Sequence, residues 1–544
     1  MFAFARLRRA LHDGPVLQLM LALVVLCAIT LGAVPAYAKK VHKIPRTPVV
    51  VTPSGKLRGV INGDIAEFLG IPYAAAPVGN LRWMPPQPFG RWQGVLDASA
   101  FGSQCTQPGG VGTENCLFLN IYVPIKKNAS KKDRRPPVMF WIHGGGLTAG
   151  AGSDYDPTPL VEQGVIVVTI NYRLGYLGFL AQSALDSEGH EAGNYGLQDQ
   201  QFAMHWVHDN IVAFGGDSSN VTIFGESAGG HSVYCQLASP TAAGLFEKAI
   251  SESGSYVIFD SFLDPIVPLS EAETTGSSFV SSGASIADSV GCTDQTAACL
   301  RAVSNTELIN VEPGTLYALV DGTLLTETPE QAFAAGTFNR VPVIAGTNHD
   351  EWRAFVAEEY DFVGNPILTE AEYDDATIAM WTSLLGPIVE IVYPYSAYPS
   401  GGVALGASGT DGVFACGART ADQLLAQFTT TYTYEFNDEN APPPQSDIPG
   451  LTFPLGAYHG SEIQYLFDSD YYYLLNASQQ QLAAAMVSYW TTFAATGNPN
   501  SSSNPTWSPY DPTLDEFQSF IPPTPTVEST FNTDHQCDSF WNLI

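Results

Sequence analysis

A serine between two glycines is the first group of residues in this chain that could do chemistry. Residues 221–224 are mostly β-branched or aromatic, which predicts a short buried strand, and residues 233–237 suit a helix. Between them, Gly225 and Gly229 lie two positions either side of Ser227. A strand that turns abruptly into a helix strains the serine backbone and lifts the hydroxyl clear of the sheet, at a helix N-terminus. The pattern therefore predicts that Ser227 is a nucleophile.

A second glycine-rich motif predicts backbone donors for an oxyanion. Acyl transfer by a serine needs a base, an orienting carboxylate and hydrogen-bond donors for the developing negative charge. His143 and three glycines directly follow the apolar run 137–142, and consecutive glycines let amide groups face a ligand without side-chain obstruction. The motif is typical of the oxyanion loop of an α/β-hydrolase. We expect Gly145 and Gly146 to donate, together with the amide of Ala228.

Chain order restricts the acid, because an α/β-hydrolase places its serine first, its acid second and its histidine last. Residues 346–351 directly follow the apolar run 341–345. A loop at the carboxyl end of a strand is where the acid is expected. Glu351 and Asp350 are both candidates on these residues alone.

Four histidines follow Ser227 and are candidates for the base. His231 lies one helical turn after the serine and is expected to point along its own helix, while His349 lies inside the acid loop. Of the two that remain, His459 lies in a glycine-flanked loop and His535 lies near the C-terminus. We predict that His459 is the base, with His535 as the alternative.

Apolar runs separated by helical stretches predict the elements that position these residues. Strands covered on both faces are predicted at 137–142, 165–170, 221–224 and 341–345. Further short strands are predicted at 49–51, 57–61, 65–69 and 117–123, and a helix at 197–212. Strands and helices in alternation indicate the α/β class, with a large, mostly parallel central sheet and helices on both faces.

Composition argues against some classes of partner. The chain has 544 residues, 45% of them hydrophobic and 14% charged, and 23 Lys+Arg against 54 Asp+Glu give a net charge of −31. A surface this acidic repels the phosphate backbone of nucleic acids. We therefore expect no nucleic-acid partner. His205 and His208 are spaced three apart but lack nearby acidic or cysteine partners, so we predict neither a metal site nor a cofactor.

The N-terminus has the pattern of a targeting segment. Three arginines precede the apolar run 16–34, and Ala-Tyr-Ala at 36–38 offers a cleavage pattern. We predict a signal peptide over 1–38, a loose leader over 39–48 and one catalytic domain over 49–544, in a secreted protein with no stable membrane partner. The apolar run is also long enough for an uncleaved signal anchor, which remains the alternative.

If the protein is secreted, its cysteines are expected to form disulfides. Seven cysteines follow the signal, an odd number, and Cys235 on the predicted helix is expected to be a buried hydrophobe. The remaining pairs are expected to be Cys105–Cys116 and Cys292–Cys299, from their loop sequences, and Cys416–Cys537, by elimination. Four Asn-x-Ser/Thr triplets are glycan candidates, at Asn128, Asn220, Asn476 and Asn500.

Several longer motifs join those above, at 68–74, 114–124, 171–175, 193–200 and 214–217. From about residue 55 to the C-terminus the chain resembles the type-B carboxylesterase/lipase family, which includes cholinesterases and fungal lipases. The resemblance implies a secreted, fungal-type serine carboxylesterase acting on a small-molecule ester, and it supports all three disulfides. Its oligomeric state stays open.

The resemblance also implies residue roles. It implies a catalytic triad of Ser227, Glu351 and His459, and it makes Glu226 a family-typical buried acid with a structural hydrogen-bonding role. His143 is expected to be structural for the same reason. The sequence departs from the family at Trp352, where glycine is usual, and at Leu147, where phenylalanine is common. We interpret both changes as alterations of the substrate pocket.

The segment between Cys105 and Cys116 bears on the substrate. In lid-bearing lipases and cholinesterases of this family it is longer and carries an apolar flap or a choline-stacking tryptophan. Here it has no aromatic residue and a single aliphatic one, Val111. We therefore expect soluble esters of short to medium chain length as substrates. A lipase or sterol esterase is the alternative, and a non-catalytic adhesion or binding homologue is a third.

Overall fold

The computed structural model describes residues 47–125, 134–190, 192–258, 266–275, 282–311, 316–444, 450–469 and 474–544. The predicted signal peptide, most of the predicted leader and Asn128 lie outside these residues. Residues Thr47–Ile544 form one compact unit.

The strands form two sheets, of three and eleven strands. The small sheet has the order β1-β2-β5, and the large one the order β14-β13-β12-β11-β10-β9-β7-β8-β6-β4-β3. The strands are β1 (Val49–Thr52), β2 (Gly55–Arg58), β3 (Val60–Asn62), β4 (Ile65–Pro72), β5 (Val95–Asp97), β6 (Phe118–Pro124), β7 (Val138–Ile142), β8 (Ile166–Ile170), β9 (Val221–Glu226), β10 (Lys248–Glu252), β11 (Val343–Asn348), β12 (Thr431–Phe436), β13 (Phe517–Phe520) and β14 (Thr526–Glu528).

Helices fill most of the connections between the strands. They are α1 (Thr158–Glu162), α2 (Gly175–Phe179), α3 (Ser183–Asp186), α4 (Tyr195–Asn210), α5 (Ala228–Ala238), α6 (Leu269–Thr274), α7 (Gly283–Ser289), α8 (Ala297–Ala302), α9 (Asn305–Asn310), α10 (Pro329–Ala335), α11 (Trp352–Val356), α12 (Glu370–Val392), α13 (Gly401–Gly409), α14 (Cys416–Ala426), α15 (Ala477–Thr496) and α16 (Phe531–Asp534). Two π-helical segments, Ala357–Asp361 and Thr410–Ala415, follow α11 and α13.

The middle of the large sheet is parallel, as predicted. Adjacent strands from β8 through β7, β9, β10, β11 and β12 to β13 all pair parallel, whereas the pairs at both ends are antiparallel. Alternate residues of β7 enter different clusters: Phe140 and Ile142 join one buried core, and Met139 and Trp141 join another. Since side chains alternate along a strand, each face of the sheet has its own core.

One predicted strand, 57–61, is wrong. The chain leaves the small sheet at the end of β2 and enters the large sheet at β3, so the run is two strands. A Cβ atom on Gly59 would lie 2.2 Å from the Glu67 carbonyl oxygen. The chain changes sheet where only glycine fits.

Helix α12 presents an unusual number of apolar side chains to solvent. Leu384 is 82% exposed and Ile391 79% exposed. Among the described residues, a helical stretch over Glu370–Ala397 is the one that is long and apolar enough to cross a membrane by length and composition, and 39% of its most apolar window is buried. Core helices of soluble proteins pass the same test.

Candidate active site

The turn that carries Ser227 has the geometry that its sequence predicts. Ser227 follows β9 and precedes α5, with φ 57° and ψ −123°. A non-glycine residue in such a conformation costs on the order of 1–3 kcal/mol, and the surrounding structure must hold it there. The amide of Ser227 donates to the Glu252 carbonyl oxygen at 2.9 Å, which fixes the turn against β10.

The two glycines of the motif are required by close backbone contacts. A Cβ atom on Gly225 would lie 2.5 Å from the Ile142 carbonyl oxygen, and one on Gly229 would lie 2.0 Å from the same atom. These distances are far below van der Waals contact, so neither position accepts a side chain. The end of β7 therefore passes directly against the turn that carries Ser227.

The structure brings together the three residues of the predicted triad. Ser227 Oγ lies 2.7 Å from His459 Nε2, and His459 Nδ1 lies 2.5 Å from Glu351 Oε2. Glu351 is fully buried, while the imidazole retains a small exposed fraction. Serine, imidazole and carboxylate thus form one hydrogen-bonded chain, the arrangement in which an imidazole can accept the serine proton.

The second oxygen of Glu351 is held by three donors. Its Oε1 accepts from Ser253 Oγ at 2.6 Å, from Thr347 Oγ1 at 2.7 Å and from the Asn348 amide at 2.7 Å. These bonds fix the carboxylate and leave Oε2 for the imidazole. The sequence analysis did not identify Ser253, which follows β10 and meets Glu351 because β10 and β11 are neighbours.

Among the described residues, the other candidate acid and bases take no part in the hydrogen-bonded chain of Ser227, His459 and Glu351. Asp350 Oδ1 lies 3.1 Å from His349 Nδ1, and its Oδ2 accepts from the Ala457 amide at 2.9 Å. His535 has both ring nitrogens on carboxylates of other elements. His231 is fully buried and its ring nitrogens have no hydrogen-bond partner in the part of the chain that the structure describes, and burial lowers its pKa to about 3.

The oxyanion loop follows β7 with two consecutive glycines in left-handed conformations. Gly145 has φ 96° and Gly146 φ 61°, a region that favours glycine. Among the described residues, no acceptor meets the amides of Gly145, Gly146 or Ala228, so all three can donate to a ligand.

His143 helps to hold this loop in position. Its ring stacks on Tyr172 at 4.4 Å, and Tyr172 Oη donates to the His143 carbonyl oxygen at 2.7 Å. Burial lowers the pKa of His143 to about 4, so the ring is neutral at pH 7. The contacts agree with a structural role.

Glu226, which is expected to be a structural hydrogen-bonding group, lies beside the imidazole. Its Oε1 lies 3.4 Å from His459 Nε2 and has no hydrogen-bond partner among the described residues. Burial raises the pKa of Glu226 to about 7, partly opposed by His459. Burial alone would lower the pKa of His459, but the Glu226 and Glu351 carboxylates raise it to about 9.

Two further buried acids, which the sequence analysis missed, lie near the triad. Glu252 accepts from Trp490 Nε1 at 2.8 Å, and burial raises the pKa of Glu252 to about 8. Glu462 accepts from Asn348 Nδ2, and burial raises its pKa well above the usual range. Burial therefore disfavours the charged form of both acids.

An aromatic wall lies against the imidazole. The rings of Phe355 and Phe414 each lie 5.0 Å from the His459 ring, and Trp352 lies 4.7 Å from Phe355. A Cβ atom on Gly409 would lie 2.1 Å from the Trp352 ring, so the indole fills the space over that glycine. Trp352 thus packs against Phe355 and supports this aromatic wall.

All three expected cysteine pairs are disulfide-bonded, Cys105–Cys116, Cys292–Cys299 and Cys416–Cys537. Cys235 is buried and free. Of the glycan candidates that the structure describes, Asn476 is exposed and caps α15 through its side-chain oxygen. Asn500 instead uses its side-chain nitrogen, the atom that a glycan would modify, to bond the Trp507 carbonyl oxygen at 2.8 Å.

Residues 46–540 match a sequence model described as the carboxylesterase family. The chain is 33% identical over 519 residues to the medium-chain fatty acyl-CoA hydrolase precursor of Anas platyrhynchos, covering 85% of this chain and 87% of that one. It is 34% identical over 485 residues to the para-nitrobenzyl esterase of Bacillus subtilis, covering 83% and 90%. A solved structure of PNB esterase matches with a TM-score of 0.73 and 30% identity, covering 91% of this chain and 100% of that one.

Proposed function

Since the chain belongs to the carboxylesterase family, we propose that it is a secreted serine carboxylesterase that works through an acyl-enzyme on soluble esters of short to medium chain length. Its α/β-hydrolase fold and its action on carboxylic esters follow from the family and from the likeness to PNB esterase. One observation carries the proposed mechanism: a continuous hydrogen-bonded chain from Ser227 through His459 to Glu351.

In the proposed mechanism, neutral His459 takes the proton of Ser227 as the serine oxygen attacks the ester carbonyl carbon. Glu351 holds the imidazole in the correct tautomer and stabilises the imidazolium. The alcohol leaves with that proton, and a water molecule repeats the sequence on the acyl-enzyme. The amides of Gly145, Gly146 and Ala228 stabilise the oxyanion in both steps.

A fluorophosphonate probe tests the nucleophile. We expect the wild-type chain to be labelled and the Ser227→Ala variant not to be. Ser239→Ala, a buried serine at the end of α5, is the matched control and should be labelled like wild type. Labelling that survives in Ser227→Ala would overturn the assignment, and unlabelled wild-type protein would support the non-catalytic homologue.

The preference for soluble esters is supported by the short Cys105–Cys116 segment. Its aliphatic residue, Val111, stands at the surface, and Gln107 turns inward to bond the Gly150 amide at 3.0 Å. Such a segment offers no apolar flap to cover a site. The name of the medium-chain hydrolase to which the chain is similar points to acyl groups of comparable length.

The lipase or sterol esterase alternative has one observation in its favour, the apolar side chains on and near α12. Val363, Leu368, Leu384 and Ile391 are all strongly exposed within about thirty residues. A p-nitrophenyl ester series from acetate to palmitate separates the two cases. Activity that peaks at short or medium chains supports the carboxylesterase, whereas activity that rises to palmitate and jumps at an oil–water interface supports the lipase.

Secretion is proposed on the disulfides and the glycan acceptors. Three disulfides in one chain favour an oxidising compartment. A cleaved signal over 1–38, a leader over 39–48 and a catalytic domain over 49–544 complete this proposal. N-terminal sequencing of the secreted protein tests the cleavage, and mass spectrometry tests glycan occupancy, with Asn476 expected to be modified before Asn500.

A further inference from the structure

Two histidines and a glutamate outside the triad converge from distant parts of the chain. His349 follows β11, Glu435 lies in β12, and His535 follows α16 in the C-terminal segment. One ring nitrogen or carboxylate oxygen from each lies within 4.8 Å of those of the other two. The spacing of these residues in the sequence does not predict their contact, because the contact depends on the neighbouring positions of β11 and β12 in the sheet.

Each imidazole is oriented by a carboxylate of its own. His535 Nδ1 lies 2.6 Å from Asp411 Oδ1, and His349 Nδ1 lies 3.1 Å from Asp350 Oδ1. When one ring nitrogen donates its proton to a carboxylate, the other can present a lone pair, and metal-binding histidines are usually held in this way. His535 Nε2 faces Glu435 Oε1 at 2.6 Å.

The charge of the cluster favours a cation. With neutral imidazoles, the carboxylates of Asp350, Asp411 and Glu435 carry three negative charges, and in the metal-free site the proton shared by His535 Nε2 and Glu435 Oε1 offsets one of them. Arg353 pairs with Asp350 at 2.8 Å and offsets one of them. Buried charges of one sign are costly unless they are balanced, and a divalent cation that replaces the shared proton would balance the two charges that Arg353 does not offset.

The cluster also has an entry path. The His349 side chain is 33% exposed, whereas His535 and Glu435 are each 3% exposed. An ion entering past His349 would meet two buried ligands and keep one side open to water, as in three-ligand zinc sites. Ligand atoms about 2.1 Å from a tetrahedral ion lie roughly 3.4 Å apart, so Glu435 would need to move by less than about 1 Å from His535.

We propose that His349, Glu435 and His535 bind a divalent transition-metal ion of the zinc class, with Asp350 and Asp411 orienting the two imidazoles. Two imidazole nitrogens and one carboxylate suit Zn²⁺, whereas Ca²⁺ and Mg²⁺ prefer oxygen ligands. The ion takes the place of the proton between His535 and Glu435, and that proton is released to solvent. The bound ion links β11, β12 and the C-terminal segment.

Metal content and a spectroscopic signature test the site on the full secreted chain. After treatment with a chelator and dialysis against Zn²⁺, wild type is expected to retain one equivalent, and Co²⁺ in its place is expected to give the visible absorption of a nitrogen-ligated ion. Zn²⁺ should also raise the Tm of wild type, since a ligand that binds only the folded state stabilises it.

Two variants and one control make the test specific. His349→Ala removes the partly exposed ligand, and Glu435→Gln keeps the shape of the buried one; both should lose the Co²⁺ spectrum and the Zn²⁺-dependent rise in Tm. His208→Ala removes an exposed histidine on α4 and should change neither. Circular dichroism of the metal-free variants checks that they are folded. The proposal is overturned if wild type binds no stoichiometric metal, or if folded His349→Ala binds it as wild type does.

Discussion

Glu226 Oε1 lies 3.4 Å from His459 Nε2, the same nitrogen that lies 2.7 Å from Ser227 Oγ. The imidazole therefore has a carboxylate on each side, Glu351 at Nδ1 and Glu226 beside the serine. Both favour the protonated ring, and the pKa of His459 is raised to about 9 against the opposing effect of burial. In the proposed mechanism His459 must be neutral to act as the base, so we expect Glu226 to influence the pH at which the site becomes active.

Replacing Glu226 by glutamine should move the acid limb of the pH profile to lower pH. The neutral form of His459 is gained as the pH rises through its pKa, and removing a charge that raises this pKa makes the neutral form available earlier. We expect the acid-side midpoint of kcat/KM to fall by about one unit or more, as is common for charges this close. The measurement is kcat/KM against pH for a soluble p-nitrophenyl ester.

Glu358→Gln provides the control for this shift. Glu358 is exposed and contributes least among the carboxylates that raise the pKa of His459, so its loss should move the midpoint much less. An unchanged midpoint in Glu226→Gln, whatever happens to the maximal rate, would show that Glu226 does not govern the protonation of the base.

The oxyanion loop predicts a large effect from a small substitution. In Gly145→Ala the new Cβ would lie 2.3 Å from the Ala149 carbonyl oxygen, and the φ of this residue is 96°. The loop must therefore move, and its amides no longer point toward the oxyanion. Loss of one such donor costs about 100- to 1,000-fold in kcat. Gly164 has the same φ of 96° with open space around it, so Gly164→Ala carries a similar backbone strain without touching the loop. If both variants lose activity equally, strain alone explains the loss.

Trp352 should influence which acyl groups the enzyme accepts. The indole supports Phe355 and Phe414, which lie against His459, so its removal loosens the wall beside the base. For Trp352→Ala we expect kcat/KM for p-nitrophenyl decanoate to rise relative to acetate by about tenfold, with a loss of stability of up to about 3 kcal/mol. The exposed Phe362→Ala is the control and should leave the ratio unchanged. A constant ratio in Trp352→Ala would place the acyl group elsewhere.

Local sequence indicated Ser227 and His459 because each lies in a short segment with a recognisable signal, whereas the choice of Glu351 over Asp350 came from the family resemblance. The glycines around Ser227 and the loops carrying Glu351 and His459 can be identified without knowing the sheet. The residues that hold Glu351 could not be found in this way, since Ser253 reaches it only through the adjacency of β10 and β11. The same applies to the contact of His349 with Glu435 and His535.

Element boundaries were predicted less well than element types. The helix expected at 197–212 is α4, Tyr195–Asn210, shifted by two residues, and the strand expected at 341–345 is β11, Val343–Asn348. An apolar run reports burial, whereas a strand ends where its pairing ends, and pairing is set by neighbours far away in the chain. At Gly59 the constraint is local, since a side chain there would collide with the Glu67 carbonyl oxygen, and the apolar pattern does not reveal it.

The disulfides should differ in their contribution to stability according to the length of the loop that each one closes. Cys416 and Cys537 are separated by 121 residues, whereas Cys292 and Cys299 are separated by seven. By constraining the unfolded chain, a disulfide stabilises the folded state by about 4.7 kcal/mol for a loop of about 100 residues and about 3 kcal/mol for a loop of 15. The disulfide that closes the longer loop therefore contributes more to stability. We expect the paired Cys416→Ala and Cys537→Ala substitution to lower the Tm more than the paired substitution of Cys292 and Cys299. Differential scanning calorimetry of the two double variants decides this, and an equal or reversed order would mean that native contacts around each bridge, rather than loop length, determine its value.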